Sequence, residues 1–258
     1  MTETDPTNVP ADVAKSSGVA VLDRAFALLG AFGPADDRLT LTELSKRTGL
    51  YKSTVLRLLA ALEHGGFIRK LPDGQYSIGP QPLRLASIYQ RSFQVGHVVE
   101  PLLKQLSAAT GETASFYVRQ EDKRIALFRT EPARAVRAAV QIGQEYAITH
   151  GASGKVLLAF SDERNAVYAE IRNRLWAVSY GERDPETASV AAPVFGISGD
   201  LQGALTLSGP RDRLAQPEAM FKACRQVLEA AKEATQAMGG GVQIFVKPLA
   251  TLTVEQFV

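Results

Sequence analysis

The spacing of the apolar positions changes along the chain. Up to residue 109 they recur at helical intervals, and from residue 112 they alternate. In 51–64, YKSTVLRLLAALEH, residues Val55, Leu58, Leu59 and Leu62 fall at i, i+3, i+4 and i+7 and make one stripe of a helix. Lys52, Ser53, Thr54, Leu56 and Arg57 lie mostly off that stripe. Residues 19–32 read as an earlier helix ended by Gly33-Pro34. Thr40-x-x-Glu43 reads as a capping box opening a helix to about Thr48, with Leu41 and Leu44 inward and Lys46 and Arg47 outward. The turn Gly49-Leu50 joins it to 51–64, which makes a helix-turn-helix pattern. In that pattern the second helix enters the major groove of DNA. Gly65-Gly66 stops the helical period, and 67–70 and 75–78 read as two strands around the turn LPDG. That hairpin is a wing, and it places Arg69, Lys70 and Gln75 where phosphates or the minor groove pass.

Gly79-Pro80 reads as a hinge. A linker helix is expected over 83–95 and a second helix over 98–109, with the interruption at Gly96-His97 taken as the domain boundary. Beyond it, alternation predicts strands at 113–118, 124–130, 135–140, 177–180, 190–195 and 201–209. Helices are expected over 152–170, extending toward 174, and over 217–238. The fold class is α+β: an N-terminal winged helix-turn-helix, a linker helix and a C-terminal antiparallel sheet with flanking helices. The expected divisions are a disordered tail 1–17, the winged helix 18–80, the linker helix 81–97, an effector-type domain 98–239 and a C-terminal tail 240–258 for which the sequence suggests no partner.

Charge sharpens the first half of this picture. The net charge of +2 conceals −3 over residues 1–14 and +5 over 15–91, with eighteen charges of each sign in the remainder. The basic excess therefore coincides with the helix-turn-helix, although +5 by itself also describes an ordinary solvated surface. One cysteine, Cys224, excludes an intramolecular disulfide and any multi-cysteine metal cluster. The three histidines are scattered, the G-x-S-x-G elbow is absent, and neither catalysis, a metal nor a cofactor is expected. With no signal-peptide pattern and no apolar run near twenty residues, a cytoplasmic protein is expected. HGASGK at 150–155 lacks the residues of a phosphate loop and reads instead as a helix N-terminus suited to a carboxylate.

Segments spread along residues 18–239 resemble the IclR family of transcriptional regulators. They are LTELSKRTGLYKSTVLRLLAALEHGGFIRK, DGQYSIGPQPLRLA, GETASFYV, HGASGKVLLAF, SVAAPVF and GALTLSGP, in that order. The resemblance implies a C-terminal effector domain related to GAF and PAS folds. It implies homodimers or dimers of dimers on promoter palindromes, with a small carboxylate or aromatic effector altering the binding. Carried over, it makes Lys52, Ser53, Thr54, Leu56 and Arg57, with Lys46, Arg47, Arg69 and Lys70, the DNA-binding candidates. It makes Ala152, Ser153, Ser179 and Ser189 the effector-binding candidates, and Ser115 and Tyr117 join them as pocket-facing residues of one strand face. For Ser153 a simple helix cap, and for the Ser115/Tyr117 face mere exposure to water, are the competing readings. Tyr51 stands where the family usually has proline, and Leu56 where a polar residue is common. The span between HGASGKVLLAF and SVAAPVF is shorter than usual, and Leu175-Trp176 replaces a Gly-Tyr pair. Two other functions stay open on the sequence: a constitutive DNA binder with a non-sensing effector domain, and a small-molecule-binding protein that uses its winged helix for protein contacts.

Overall fold

The structure is a computed structural model, and it describes residues 18–33, 35–92, 95–134, 137–138, 141–161 and 165–258. The chain divides into two compact units, 1–89 and 90–258. Each is described by itself.

The first unit contains α1 (Ala20–Gly30), α2 (Leu41–Thr48), α3 (Lys52–His64), the strands β1 (Ile68–Lys70) and β2 (Tyr76–Ile78), and most of α4 (Gln81–Ser92). The capping box is formed: Glu43 N donates to Thr40 Oγ1 at 3.2 Å, and Thr40 N donates to Glu43 Oε2 at 2.8 Å. α2 ends on Gly49 in the left-handed conformation, φ 69°, where a side chain is strained. The turn is tied by Ser45 Oγ donating to Leu50 O at 2.6 Å. The predicted stripe does close the core, with Val55, Leu58 and Leu59 packing on Leu28, Leu44 and Ile68. Leu39 pairs with Tyr76, so the wing gains a third, single-residue edge.

The second unit is built on a six-stranded antiparallel sheet in the order β5-β4-β3-β8-β7-β6. Its strands are β3 (Thr113–Gln120), β4 (Lys123–Thr130), β5 (Glu145–Ala147), β6 (Ala177–Tyr180), β7 (Thr187–Phe195) and β8 (Leu201–Pro210). Alternation decides the layers. Ala114, Phe116, Val118, Val190, Ala192, Leu205 and Leu207 face α5 (Gly96–Thr110) and α9 (Pro217–Ala237), and form the main core with them. Tyr117, Ala126, Ala177, Ala191 and Ala204 face α6 (Ala152–Ser161) in a smaller second core. The second unit is thus three layers with the sheet in the middle. Four-residue α8 (Arg211–Leu214) leads into α9.

Several expectations need correction. Gly96 and His97 are not a break, because α5 begins at Gly96 and the unit boundary falls earlier, within α4. A Cβ on Gly96 would lie 3.0 Å from the Phe128 ring, so the glycine serves close packing at a helix start. The helix expected over 152–174 is broken into α6, a 3-10 turn Ala166–Tyr168 capped by Asn165, and α7 (Ala169–Arg174), which stops at Leu175 with φ 59°. The strand expected over 135–140 falls largely on residues outside the described ones; Arg137 and Ala138 are not strand, and a short strand the sequence reading missed is β5. The segment 240–258 does have a partner. It forms a 3-10 turn, α10 (Val246–Thr251) and a final 3-10 turn, and buries Phe245, Leu252 and Phe257 in the main core. Trp176 lies against Phe257, ring centroids 5.0 Å apart.

Candidate DNA-reading face and ligand slot

α3 presents two faces. Its apolar stripe is buried, and Lys52, Ser53, Leu56 and Arg57 are exposed along the other side, with Thr54 half-buried between. Tyr51, just before the helix, is 85% exposed and makes no side-chain cap. Lys46 is exposed on α2. The other basic candidates are held in place by their own unit. Arg47 pairs with Asp36 and donates to Ala31 O at 2.8 Å, so it fastens the loop after α1. This pair keeps the Asp36 carboxyl below the ordinary range. Arg69 Nε donates to Ser77 Oγ across the wing at 2.8 Å, and Lys70 N is accepted by Glu63 Oε1 at 3.1 Å, which ties the wing to α3. The Lys70 side chain itself stays exposed.

In the second unit, the register lines up hydroxyls across four strands on the face that α6 covers. Ser179, Ser189, Ser208 and Thr113 are neighbours in one row. In the next row Thr206 and Ser115 are neighbours, continued by Ala191 and Ala177. Between these rows and the start of α6 lies a narrow slot of about 30 Å³, room for about one water molecule. Tyr117, Ser153, Ser179 and Ser189, four of the effector-binding candidates, line it. Ala152 is buried beside Ser153 and does not reach the slot. Ser115 is fully buried one row in, next to the slot residue Thr206. Exposure to water is thereby excluded for Ser115 and Tyr117. Ser115 Oγ, Thr206 Oγ1 and Ser208 Oγ are buried without a hydrogen-bond partner among the described residues.

The sequence reading missed Arg124, which dominates the slot. Its residue is 4% exposed. Nη1 donates to Ser153 Oγ at 2.6 Å and Nε to Ala147 O at 3.4 Å. The guanidinium stands 4.9 Å from the Tyr117 ring centroid and 5.3 Å from that of Tyr146. Burial pulls its pKa down, while the same burial pushes the Tyr117 phenol up. Gly151 makes space for it, since a Cβ there would meet Nη2 at 2.9 Å, whereas a Cβ on Gly154 would meet Ile148 O at 2.0 Å. The signal was available, since Arg124 sits two residues from Ala126 on the alternation that faces α6, and Thr206 and Ser208 alternate with Leu205 and Leu207. The backbone at the start of α6 is less open than expected, because Gly151 N donates to Glu182 Oε2 at 3.0 Å and Lys155 Nζ also pairs with Glu182. Among the described residues no group of three His, Cys, Asp or Glu gathers to hold a metal, and no helix is long and apolar enough to cross a membrane.

Comparison with known proteins gives this architecture a family. The IclR helix-turn-helix domain matches residues 21–72, and the C-terminal domain of bacterial IclR transcriptional regulators matches 88–170 and 165–236. The chain belongs to the IclR family. It is a DNA-binding transcriptional regulator and not an enzyme. The two pieces of the C-terminal match overlap at 165–170. Over 251 residues the chain is 30% identical to the HTH-type transcriptional regulator BhcR of Paracoccus denitrificans, covering 86% of this chain and 88% of that one. An IclR regulator structure from Alicyclobacillus acidocaldarius is 28% identical with a TM-score of 0.70, covering 86% and 99%. An IclR homologue from Microbacterium hydrocarbonoxydans, complexed with 4-hydroxybenzoate, shares the fold at a TM-score of 0.73 and 17% identity, covering 84% and 98%.

Proposed function

We propose that this IclR-family regulator binds promoter palindromes as a dimer, and that a small organic acid or aromatic effector in the second unit changes that binding. The observation that carries the reading is the polar lining of the slot, which has to widen from its volume of about 30 Å³ to admit an effector, in a unit joined by α4 to a DNA-binding domain. The 4-hydroxybenzoate complex of the Microbacterium hydrocarbonoxydans homologue supports an acid as the effector class. Base and phosphate contact is assigned to Lys52, Ser53, Thr54, Leu56 and Arg57 on α3, with Lys46 and Lys70 at its flanks. Leucine at 56 offers apolar contact to a thymine methyl, and Arg57 can read guanine. Arg47 and Arg69 serve mainly to hold the loop and the wing that frame α3.

Dimerisation rests on apolar surface the first unit leaves uncovered. Leu22 and Phe26 lie one turn apart on α1, and Leu85 and Ile88 lie on α4, all at least 40% exposed. A second copy of the chain is the assigned occupant, because a palindrome requires two α3 helices related by a two-fold axis. A regulator of this kind works where the chromosome is, in the cytoplasm.

Selection of bound duplexes from a random pool tests the reading. It is expected to return an inverted repeat with half-sites about one helical turn apart. Recovery of no sequence preference contradicts it, as does a selected site whose affinity is indifferent to every compound that binds the slot.

A further inference from the structure

A cleft of about 440 Å³ opens in the other layer of the second unit, between the C-terminal end of α5, α8 and α9. The sheet separates it from the slot under α6. One carboxylate lines it. Glu112, whose side chain is 4% exposed, accepts from Arg213 Nε at 2.5 Å and from Arg213 Nη2 at 2.9 Å. Arg134 Nη1 approaches the same carboxylate at 3.9 Å, too far for a hydrogen bond, and its side chain is half exposed. Two glycines make room for this arrangement. A Cβ on Gly209 would lie 2.2 Å from Glu112 Oε2, and one on Gly111 would lie 2.7 Å from the Arg134 guanidinium. Two more cations, Lys222 and Arg225, line the cleft from α9. Both are exposed, and neither forms an ion pair among the described residues, although Glu218 and Glu229 lie one turn away on the same helix. Four cations thus surround one carboxylate, an excess of three positive charges. A cleft lined by one sign of charge focuses its field on counter-ions. Between the charges the lining is small and apolar, with Ala109, Ala219 and Ala223.

We propose that this cleft is a second ligand site, for an organic phosphate of nucleotide size, with its phosphates among Arg134, Lys222 and Arg225 and a flat ring on the alanine floor. The site goes beyond the regulator reading and does not depend on it. Charge sets the class of ligand. A phosphate ester carries about −1.5 to −2 near neutral pH, and a diphosphate more, whereas a monocarboxylate carries one charge and leaves most of the excess unmet. The donors suit phosphate oxygens, because arginine offers a planar fork and lysine a compact point charge. The volume lies within the range of small-molecule sites, roughly 300–1,000 Å³. Short side chains at 109, 219 and 223 leave a flat apolar surface between the cations, which a ring covers and a bare anion does not. Glu112 has a different part. It engages Arg213 in a bidentate pair and draws Arg134 to the cleft without a hydrogen bond, so the Arg134 donors stay available to a phosphate. Arg225 stands 5.4 Å from the Phe221 ring, which steadies its guanidinium on α9.

Isothermal titration of the full chain, without DNA, tests this. The probes are AMP, ADP, GDP, adenosine, inorganic phosphate and phthalate. Wild type is expected to bind at least one of the three nucleotides saturably, and about tenfold or more tightly than adenosine, inorganic phosphate or phthalate. Lys222→Ala/Arg225→Ala is expected to weaken that nucleotide by about 10- to 100-fold, the loss of two charge-assisted contacts. Its melting temperature should stay at the wild-type value, because both side chains are exposed on a helix and alanine favours helix. Ala219→Trp fills the floor and is expected to weaken the nucleotide as well. Lys52→Ala/Arg57→Ala removes two cations from the outer face of α3 and should bind the nucleotide as wild type does. The proposal is overturned by silence from all three nucleotides, or by adenosine, inorganic phosphate or phthalate binding as tightly as they do. It is equally overturned by wild-type nucleotide affinity in the Lys222→Ala/Arg225→Ala protein, or by loss of the nucleotide in the Lys52→Ala/Arg57→Ala protein, which would place the anion on α3. None of these outcomes bears on the duplex selection that tests the regulator reading, so the two can fail separately.

Discussion

Arg47 and Arg57 carry the same charge and serve different ends. Arg47 is locked to Asp36 and the Ala31 carbonyl, whereas Arg57 is exposed on the outer face of α3. Arg57→Ala is therefore expected to weaken duplex binding by about 1–3 kcal/mol, the range for one good base contact, and to leave the melting temperature unchanged. Arg47→Ala should do the reverse, lowering thermal stability with a smaller effect on the duplex. Melting curves and anisotropy titrations on the two variants separate the roles. Gly154 shows a different constraint. A Cβ there would lie 2.0 Å from Ile148 O, so Gly154→Ala must displace backbone. Chemical denaturation is expected to show a loss of about 1–3 kcal/mol, the usual cost of overpacking. At this scale the sequence was legible where one residue type implies one conformation, as for the Thr40/Glu43 box and Gly49. It was opaque for Arg47, because nothing local says that a lysine-like surface position is pinned by a residue eleven places earlier.

Among the elements, amphipathic helices and alternating strands declared themselves in the sequence. α3 and β6 through β8 follow directly from periods of 3.6 and 2. What failed was the continuation of a pattern across a local stop. Apolar spacing runs on through 152–174, yet Asn165 caps a new turn and Leu175 adopts a left-handed conformation, so three short pieces replace one helix. The C-terminal segment was unreadable for another reason: its burial depends on Trp176 and α9, far away in sequence. Trp176 is the single tryptophan of the chain, which makes its packing against Phe257 measurable. Removing residues 241–258 is expected to red-shift its emission and lower the melting temperature, whereas unchanged emission would mean that the segment does not cover it. The start of α6 carries a pH dependence. Burial acts to raise the Glu182 pKa, but Lys155, the Gly151 N–H and the nearby His150 outweigh it, and the net value lies below normal. A depressed carboxyl stabilises the fold above its unfolded pKa and loses that contribution as pH falls through the carboxylate range. Melting temperature followed from neutral to acid pH should fall less steeply in Glu182→Gln than in wild type.

For the whole molecule, the two units carry two chemistries, one outward and polycationic, the other inward and rich in hydroxyls. The apolar strip on α1 and α4 connects the first of these to symmetry. Charged replacement of Phe26 and Ile88 together is expected to shift the protein from dimer to monomer in sedimentation and to weaken binding to a full palindrome far more than to a half-site. Regulation by this protein depends first on α3 reading DNA. The most direct test is the affinity of wild type and of a Lys52→Ala/Arg57→Ala variant for one selected palindrome across a range of salt concentrations. The expected result is tight, salt-sensitive binding by wild type, and in the variant a weaker affinity with a shallower salt slope, by about 0.9 for each phosphate that is no longer neutralised. Equal affinities and equal slopes in a folded variant would contradict the assignment of this helix to DNA.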